Sequence, residues 1–576
     1  MKQKTVILGI SCFYHDSAAA LVVNGEVVAA AEEERFSRKK HDSGFPSSAV
    51  NFCLAQGKVS INQVDYVVFY EKPLQKFERL LQTYIRTWPY GLFSFLKAMR
   101  EWLTRKLWIE HAIRKHLRFS GHILYVEHHY AHAASAYYCS PFQKSAIVTM
   151  DGVGEWDTTT LGFGDGNTIR LTHSIVFPHS LGLLYSALTY YLGFTVNSDE
   201  YKVMGLAPYG NPEIYYKKFL ELITWKNDGS FKLNMSYFSY EYGLTMTNAR
   251  FNTLFGAPPR KPESALTQRE KDIAAALQKI TEEIILKIFG HAREICGSTN
   301  VCLAGGVALN CVANGKILAS KIFDNIYIQP ASGDAGGAVG AALYVFYDVL
   351  GNTKKGSAMP NVFLGPAYTD KEIKLRVGGE IQRLAEIKKI SFKTTNESQL
   401  YDEVAALIEG NTAVGWFQGR MEFGPRALGN RSILADPRNK DNWQKINLKI
   451  KNRESFRPFA PVVMEEHVQK YFHLPVPSPY MLFVAPVVTD AIPAVTHVDG
   501  SARVQTVSEE QNEKLYKLLR AFYKRTGCSV LVNTSFNVRN EPIVMSPEDA
   551  LYCFLNTEMD YLVIGNTIVA KNRKLL

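Results

Sequence analysis

The feature of this sequence that most constrains its fold is a three-strand pattern that occurs twice. Near the N-terminus, β-rich runs at 6–11, 18–23 and 27–31 are separated by a polar loop and by Asn24-Gly25, the dipeptide most favoured in a two-residue hairpin turn. Runs at 145–150, 158–163 and 169–175 repeat this order, with a Gly/Asp loop after the first of them. The sequence therefore predicts two similar lobes, each beginning with three strands.

This repeated unit, with an acidic loop after its first strand and helical sequence after its last, resembles the start of each lobe in actin-like ATPases and sugar kinases. An apolar stripe at residues 273, 277, 280, 284 and 288 predicts a long helix. A strand then runs into the pair Gly305-Gly306 and a further helix. Glycines at that point let a ligand approach the backbone, although a plain tight turn also explains them.

The non-periodic Gly/Lys/Ser stretch at 351–360 predicts a domain boundary, which we place between residues 355 and 356. The first domain then covers 1–355. The second, 356–576, alternates helical runs with short strands, which predicts an α/β domain. A length of 576 residues agrees with more than one compact unit, because domains average about 150 residues.

Composition excludes several classes of protein. Hydrophobic residues make up 46% of the chain and charged residues 21%, which excludes collagen-like and largely disordered chains. Lys and Arg total 65 against 55 Asp and Glu, a net charge of +10 that suits small phosphate-bearing ligands and does not indicate a nucleic-acid partner. The eight cysteines are scattered without a CxxC pair, and no apolar run is long enough for a membrane span. We therefore expect reduced thiols in a soluble, cytoplasmic protein.

Two histidines and two carboxylates form a candidate metal site. His128 and His132 are four residues apart, so in a helix both imidazoles lie on one face and can share a metal ion. This is not the HExxH pattern of zinc peptidases, because no glutamate lies inside the pair. Asp151 follows the first strand of the second repeat, and Asp334 lies in another glycine-rich loop. Two imidazoles with one or two carboxylates suit Fe(II), Mn(II) or Zn(II). The alternative to a metal site is that the two histidines have this spacing by chance.

The second domain carries a candidate phosphate site. Residues 419–431 place three arginines among three glycines, and guanidinium groups on such a loop can bind phosphate oxygens bidentately. The run 438–457 is strongly basic, which fits either a ligand site or a solvated helix face. Small hydroxyl and amide side chains follow an apolar strand at 533–537. No GxxxxGK[ST] motif is present, so a P-loop enzyme is excluded.

The segment 87–117 is rich in tryptophan, tyrosine and phenylalanine and in basic residues. Such a stretch fits a membrane surface or an acceptor pocket, but more commonly it forms a buried amphipathic helix whose charged face is solvated.

Taken together, several strings in this chain resemble the carbamoyltransferase family of nodulation and antibiotic-tailoring enzymes, tobramycin carbamoyltransferase among them. The matching strings span nearly the whole chain: HDSA at 15–18, EEERFSRKKH at 32–41, residues 128–136, DEYKVMGLAPYG at 199–210, LAGGVALN at 303–310, residues 418–438, HVDGSARVQTV at 497–507 and LVNTSFN at 531–537.

The resemblance implies a first domain on the actin-like fold, similar to the universal tRNA threonylcarbamoyl transferase, and a second domain similar to its carbamoyl-adenylate-forming partner. It implies that carbamoyl phosphate and ATP, with Mg²⁺, give carbamoyl adenylate and pyrophosphate in the second domain. The carbamoyl group then passes to a hydroxyl of a small natural-product or sugar acceptor in the first domain. Because this intermediate is labile, we expect an enclosed passage between the domains.

The resemblance also implies residue roles. The metal, expected to be Fe(II) or another divalent transition metal, would be held by His128, His132, Asp151 and Asp334. Carbamoyl phosphate and ATP would be held by Arg426, Lys451, Arg457, Arg503, Ser535 and Asn537. The adenylate site of the first domain would be lined by Gly305, Gly306 and Asn310. At the transfer centre, His15 is the candidate base and Lys40 the candidate charge stabiliser.

Two other functions fit parts of the sequence. A tRNA threonylcarbamoyl transferase is disfavoured by the modest charge and by the fused second domain. A nucleotide-switched, non-catalytic actin-like scaffold would not explain two histidines beside two carboxylates. A kinase on the same fold would also use ATP, but it would release ADP rather than AMP. The acceptor cannot be read from the sequence, and a homodimer stays open because no coiled-coil heptad indicates an interface.

Overall fold

The computed structural model describes residues 4–571, which fall into two compact units. The first contains the chain up to Glu33 together with His41–Pro360, and the second contains Glu34–Lys40 and the chain from Asn361 onward. The boundary predicted at 355/356 and the division after Pro360 lie in the same non-helical stretch. The assignment of Glu34–Lys40, with its short helix α1 (Glu34–Ser37), to the second unit is not apparent from the sequence.

The first unit contains two five-stranded sheets and a small hairpin. Its strands are β1 (Val6–Ser11), β2 (Ala18–Val23), β3 (Glu26–Glu32), β4 (Tyr66–Phe69), β5 (His122–Tyr125), β6 (Lys144–Met150), β7 (Asp157–Asp165), β8 (Thr168–Val176), β9 (Ile223–Trp225), β10 (Phe231–Leu233), β11 (Asn300–Ala304) and β12 (Asn325–Ile328). The hairpin turn between β2 and β3 has left-handed φ angles at Asn24 (51°) and Gly25 (88°), as the Asn-Gly dipeptide predicts.

The two sheets have the same topology. Their strand orders are β3-β2-β1-β4-β5 and β8-β7-β6-β11-β12. In both sheets the first three strands are antiparallel neighbours, and the remaining two run parallel to the central strand, β1 or β6. This repeat confirms the predicted duplicated lobes of an actin-like fold. Because β1 and β6 lie at the centre of their sheets, their C-terminal loops are natural places for a ligand site.

Helices cover these sheets. They are α2 (Ser47–Gly57), α3 (Pro73–Thr87), α4 (Leu92–Thr104), α5 (Ile109–Leu117), α6 (His128–Tyr137), α7 (Leu181–Tyr191), α8 (Glu200–Leu206), α9 (Glu213–Leu222), α10 (Ala249–Phe255), α11 (Gln268–Cys296), α12 (Cys311–Ser320) and α13 (Asp334–Tyr344). The five apolar residues that predicted the long helix all lie on α11 and are buried, and a capping box of Thr267 and Glu270 begins it. Helix α13 approaches α6 so closely that a Cβ atom at Gly340 would lie 1.8 Å from the carbonyl oxygen of Ala131.

The second unit is built on one nine-stranded sheet. Its strands are β13 (Ile390–Thr394), β14 (Val414–Phe417), β15 (Arg431–Ala435), β16 (Ala460–Met464), β17 (Phe483–Pro486), β18 (Ser501–Val507), β19 (Val530–Ser535), β20 (Tyr561–Ile564) and β21 (Thr567–Lys571). Its further helices are α14 (Asp370–Ile373), α15 (Gly379–Glu386), α16 (Glu397–Glu409), α17 (Asp441–Gln444), α18 (Val468–Tyr471), α19 (Glu513–Thr526) and α20 (Pro547–Leu555). The strand order is β13-β21-β20-β14-β15-β19-β16-β18-β17, so the predicted α/β class is confirmed.

The aromatic and basic segment 87–117 forms α4, α5 and a short 3-10 turn at Lys106–Trp108, but it is not a buried amphipathic helix. Trp88, Tyr90, Phe93 and Trp108 are all more than half exposed, so the expectation of burial is wrong for these side chains. Within residues 4–571, no helix has both the length and the apolar composition needed to cross a bilayer.

Candidate functional site

Four metal-donor side chains meet in the first unit. His128 and His132 lie one turn apart on α6, Asp151 immediately follows β6, and Asp334 is the first residue of α13. All four donor atoms lie within 4.8 Å of one another. The sequence predicted this set of residues, and the structure brings all four together.

The distances fit a shared cation. The Nε2 atoms of the two histidines are 3.1 Å apart, and Nε2 of His128 is 2.9 Å from Oδ2 of Asp151. Oδ1 of Asp334 lies 3.8 Å from Nε2 of His128 and 3.9 Å from that of His132. Bonds of about 2.0–2.2 Å to a metal place neighbouring donor atoms about 3 Å apart, so a small inward movement of Asp334 completes the set.

The surrounding residues orient these donors. The backbone N–H of Gly306 donates to Oδ1 of Asp151 at 2.9 Å, and the Tyr70 hydroxyl donates to Oδ2 of Asp334 at 3.3 Å. Both histidine Nδ1 atoms are buried, and neither has a hydrogen-bond partner among residues 4–571. The orientation of each ring is therefore set by the contacts of its Nε2 atom, which faces the other donors.

The electrostatics of the cluster also favour a cation. Burial, with the adjacent His132, holds the pKa of His128 well below its usual value. Burial and the charge of Asp151 raise the pKa of Asp334 to about 6, although nearby positive charges oppose this. Burial would also raise the pKa of Asp151, but hydrogen bonds with the two histidines hold it well below its usual value. A divalent ion would relieve the repulsion between the buried carboxylate of Asp334 and the half-buried one of Asp151, so the residues present fit a metal.

The loop after β1 brings His15 beside this cluster. Its Nε2 lies 3.9 Å from Oδ2 of Asp334, and its Nδ1 lies 2.9 Å from Oδ2 of Asp16. His41 holds the other oxygen of Asp16, at 2.7 Å from its Nδ1. Phe13 and Asp16 have φ angles of 71° and 50°, which non-glycine residues rarely adopt outside functional sites and tight turns.

His15 is positioned between two carboxylates, and this determines its protonation. Burial lowers the pKa of His15, but Asp334 and Asp16 outweigh burial and raise it to about 10. The two carboxylates therefore favour the protonated imidazole. A cation that engaged the charge of Asp334 would weaken this effect and favour the neutral imidazole, which can accept a proton.

The other residues predicted for this domain differ in how close they lie to the metal donors. A Cβ atom at Gly305 would lie 2.2 Å from the carbonyl oxygen of Met150, so the glycine pair packs against the end of β6. Asn310 caps α12 and exchanges hydrogen bonds with Gln278. Lys40 belongs to the second unit, where its charge lowers the pKa of Lys451. The structure thus groups His15 with the metal donors, and it assigns Lys40 to the other unit.

Two functional candidates were not singled out from the sequence. Tyr70 follows β4, the strand parallel to β1, and an available signal was the polar pair Tyr70-Glu71 at the end of an apolar strand. Glu155 accepts the backbone N–H of His128 at 3.1 Å and so holds the first turn of α6, and burial raises its pKa to about 7. Its partner lies 27 residues away, and sequence spacing gave no sign of that contact.

In the second unit, the predicted phosphate residues lie at one edge of the sheet. Strands β15, β16 and β18 run in one direction and β19 in the other. The loops before β15 and β16 and the loop after β19 therefore meet at the same edge, to which the start of β18 also belongs. These positions hold Arg426, Arg457, Asn537 and Arg503, with Ser535 at the end of β19.

Lys451 forms hydrogen bonds with two of these residues, Ser535 and Asn537. Its buried ammonium donates to the carbonyl oxygens of Ser535 (2.7 Å) and Asn537 (2.9 Å) and to the side-chain oxygens of both residues. Burial holds the pKa of Lys451 well below its usual value, and the charges of Arg453 and Arg457 lower it further. Concentrated positive charge in a buried position favours an anionic ligand, which would offset that repulsion.

Two of the three arginines in the glycine-rich loop have structural roles. Arg431 is fully buried and donates to the carbonyl oxygens of Gln418, Gly419, Asn430 and Pro366. Arg420 donates to the carbonyl oxygens of Leu364 and Gly365.

These two guanidinium groups bind backbone carbonyls that shape the loop, so Arg426, the arginine assigned to carbamoyl phosphate and ATP, stays the candidate ligand of the three. Of the basic run 438–457, Arg438 pairs with Asp436, Lys445 pairs with Asp560, and Lys451 is buried. A solvated face accounts for only part of that run.

Comparison with known proteins identifies the family. A family model described as the carbamoyltransferase N-terminus matches residues 6–343, and one described as the carbamoyltransferase C-terminus matches residues 405–571. The chain belongs to the carbamoyltransferase family. All four metal-donor residues of this carbamoyltransferase lie in the N-terminal match, and the predicted phosphate residues lie in the C-terminal match. Lys40 belongs to neither group: it lies within the N-terminal match, but it folds with the second unit.

Named relatives agree with this assignment. An uncharacterized protein of Synechocystis sp. is 53% identical over 98% of this chain and 97% of its own length. Nodulation protein NolNO of Sinorhizobium fredii is 38% identical over 97% of this chain and 79% of its own. The 3'-hydroxymethylcephem-O-carbamoyltransferase of Amycolatopsis lactamdurans is 34% identical over 55% of this chain and 56% of its own. The protein is therefore a transferase of carbamoyl groups.

Proposed function

We propose that this carbamoyltransferase is ATP-dependent and acts in two steps, through carbamoyl adenylate, on a hydroxyl of a small natural-product or sugar acceptor. The observation that carries this proposal is that each unit has its own polar centre. The first unit holds four metal donors beside His15, and the second holds a buried basic cluster around Lys451.

The first step belongs to the second unit. Atom balance requires that carbamoyl phosphate lose inorganic phosphate to water, that an oxygen of the resulting carbamate attack the α-phosphorus of ATP, and that pyrophosphate leave. Arg426, Arg457 and Arg503 would bind the phosphate oxygens, as guanidinium groups do bidentately. Lys451 holds Ser535 and Asn537 in place. Because Lys40 folds with this unit, we infer that the charge it stabilises is that of carbamoyl phosphate or ATP.

The second step belongs to the first unit, where the acceptor hydroxyl attacks the carbamoyl carbon and AMP leaves. Gly305, Gly306 and Asn310 are the proposed lining of the adenylate site. His15 would take the hydroxyl proton once Asp334 is engaged, and Asp16 would hold its ring in place. A divalent transition metal held by His128, His132, Asp151 and Asp334, with Fe(II) as the family expectation, would supply a Lewis acid for the carbamoyl carbonyl and its developing negative charge.

The test is the release of pyrophosphate from purified protein supplied with ATP and Mg²⁺ but no acceptor. We expect release that depends on carbamoyl phosphate, with AMP rather than ADP as the nucleotide product once an acceptor is added. Release of ADP would indicate a kinase instead, and the absence of any turnover would favour a nucleotide-switched scaffold. Either result would overturn the two-step proposal.

A further inference from the structure

The outer side of α3, α4 and the following 3-10 turn carries an unusual concentration of exposed apolar side chains. Among residues 4–571, 24 large hydrophobic side chains are exposed, and nine of them lie within residues 74–108. We call this set the aromatic face. It consists of Leu74, Ile85, Trp88, Tyr90, Leu92, Phe93, Leu96, Leu103 and Trp108. Exposed apolar side chains concentrated in one short segment indicate an interaction site rather than ordinary surface scatter.

Helix α4 shows that this exposure is systematic. Leu92, Leu96 and Leu103 recur at steps of four and seven, so they lie on one side of the helix, and all are about half exposed or more. Phe93 lies beside them and is 84% exposed. The opposite side is buried at Trp102. This helix therefore presents apolar residues to solvent in the pattern that a surface helix normally turns inward.

The inner side of the segment is already packed. The rings of Phe77 and Trp102 lie 5.5 Å apart, and those of Tyr84 and Phe95 lie 5.2 Å apart. These contacts join α3 to α4 and fix the orientation of both helices. The aromatic face is therefore not the surface through which these two helices pack on each other, and it is open to a binding partner.

The charge of this segment distinguishes two possible partners of the aromatic face, a second copy of the chain and an anionic surface. From residue 85 to 108 the chain has one acidic residue, Glu101, and five basic ones: Arg86, Lys97, Arg100, Arg105 and Lys106. Arg86 pairs with Glu241 and Arg105 with Glu101, whereas Lys97 and Arg100 are exposed and have no ion-pair partner within residues 4–571. A second copy of the chain would bring like charges together. An anionic surface would complement them.

We propose that the aromatic face binds the surface of a membrane that contains anionic lipids. The exposed tryptophan, tyrosine, phenylalanine and leucine side chains would enter the headgroup region, and Lys97 and Arg100 would lie at the level of the lipid phosphates. Tryptophan and tyrosine prefer this interface because each has an apolar ring and a polar atom. The segment would lie on the bilayer rather than cross it, because α4 has 13 residues and a spanning helix needs about 20.

Membrane binding of this kind would place the loop after β1 near the lipid surface. The ammonium of Lys106 lies 5.6 Å from the centre of the Tyr14 ring and 5.5 Å from that of Trp102. Tyr14 is the neighbour of His15 in that loop. The inference goes beyond the proposed function and does not depend on it.

The test is co-sedimentation of the full-length protein with vesicles of phosphatidylcholine alone or mixed with phosphatidylglycerol. We expect binding only to the mixed vesicles. Binding should be weaker at high salt, because salt screens the attraction between the basic side chains and the anionic lipids. Phe93→Glu should weaken binding about tenfold or more, since it removes an apolar ring that would enter the headgroup region and adds a negative charge. Lys97→Glu with Arg100→Glu should abolish the preference for phosphatidylglycerol.

The matched control is Leu375→Glu in the second unit, because Leu375 is also 84% exposed but lies outside the aromatic face. It should leave vesicle binding unchanged. Equal binding of wild type and Phe93→Glu would overturn the proposal. So would sedimentation-velocity profiles in which wild type is a dimer, Phe93→Glu is a monomer and neither binds vesicles, because a second copy would then cover this face. Circular dichroism spectra and urea unfolding midpoints should be equal in all variants, which checks their folding.

Discussion

Replacing Gly305 by alanine tests whether the glycine pair shapes the metal-donor cluster. Gly305 has φ 94° and ψ 159°, a region that only glycine adopts readily. A Cβ atom there would lie 2.2 Å from the carbonyl oxygen of Met150, the residue immediately before Asp151. Because that oxygen is backbone, the contact can be relieved only by moving the end of β6 or the glycine turn, and both hold Asp151 in position.

The expected loss of stability has two contributions, the backbone conformation and the steric contact. A non-glycine residue in that backbone region costs about 1–3 kcal/mol. Overpacking a buried contact costs about 1–3 kcal/mol more. We therefore expect Gly305→Ala to lower the free energy of unfolding by about 2–6 kcal/mol. We also expect metal content to fall, since Gly306 donates the hydrogen bond that orients Asp151.

Gly351→Ala is the matched control. Gly351 also has a positive φ, 68°, but a Cβ atom there would meet nothing within 4 Å. It should cost only about 1–2 kcal/mol and leave metal content unchanged. Both variants would be compared with wild type by urea unfolding followed by circular dichroism, and by elemental analysis after purification with Fe(II). Equal losses of stability and equal metal content in the two variants would refute the packing argument.

Three further predictions concern other parts of the chain. His132→Ala should lose bound metal and acceptor carbamoylation but keep pyrophosphate release, and loss of pyrophosphate release would contradict the division of the two steps between the units. Lys451→Met should do the reverse, with pyrophosphate release reduced at least about tenfold by the displaced Ser535 and Asn537 and with metal content unchanged. Burial lowers the pKa of His497, so the unfolded chain binds that proton more readily, and stability falls as the pH drops below about 6.5. His497→Gln should lose less stability than wild type between about pH 6.5 and 5, and identical pH profiles by urea unfolding would show that His497 contributes nothing.

Local patterns in the sequence predicted the elements that carry the site. The Asn24-Gly25 hairpin, the apolar stripe of α11 and the start of α6 at His128 all depend on neighbouring residues, and all agree with the structure. The histidine pair was readable because four residues make about one turn of a helix. Asp151 and Asp334 were proposed as partners because each lies in a loop of the kind that carries ligand groups, and the resemblance of strings along the chain implied the same four residues.

Contacts between distant residues were not predictable in this way. The hydrogen bond from Tyr70 to Asp334 spans 264 positions, and the contacts of Lys451 with Ser535 and Asn537 span 84 and 86. Arg431 belongs to a glycine-rich loop whose pattern suits a phosphate site, but its burial among backbone carbonyls depends on how the loop closes.

By itself, then, the sequence determined the strand and helix pattern, the duplication of the lobes, the histidine pair and the family. The tertiary structure decided which charges are buried, that Glu34–Lys40 folds with the second unit, and that the apolar side of α4 faces outward. The physical reason is that periodicity reports which residues share a face of one element. Which neighbour covers that face depends on how all the elements pack together.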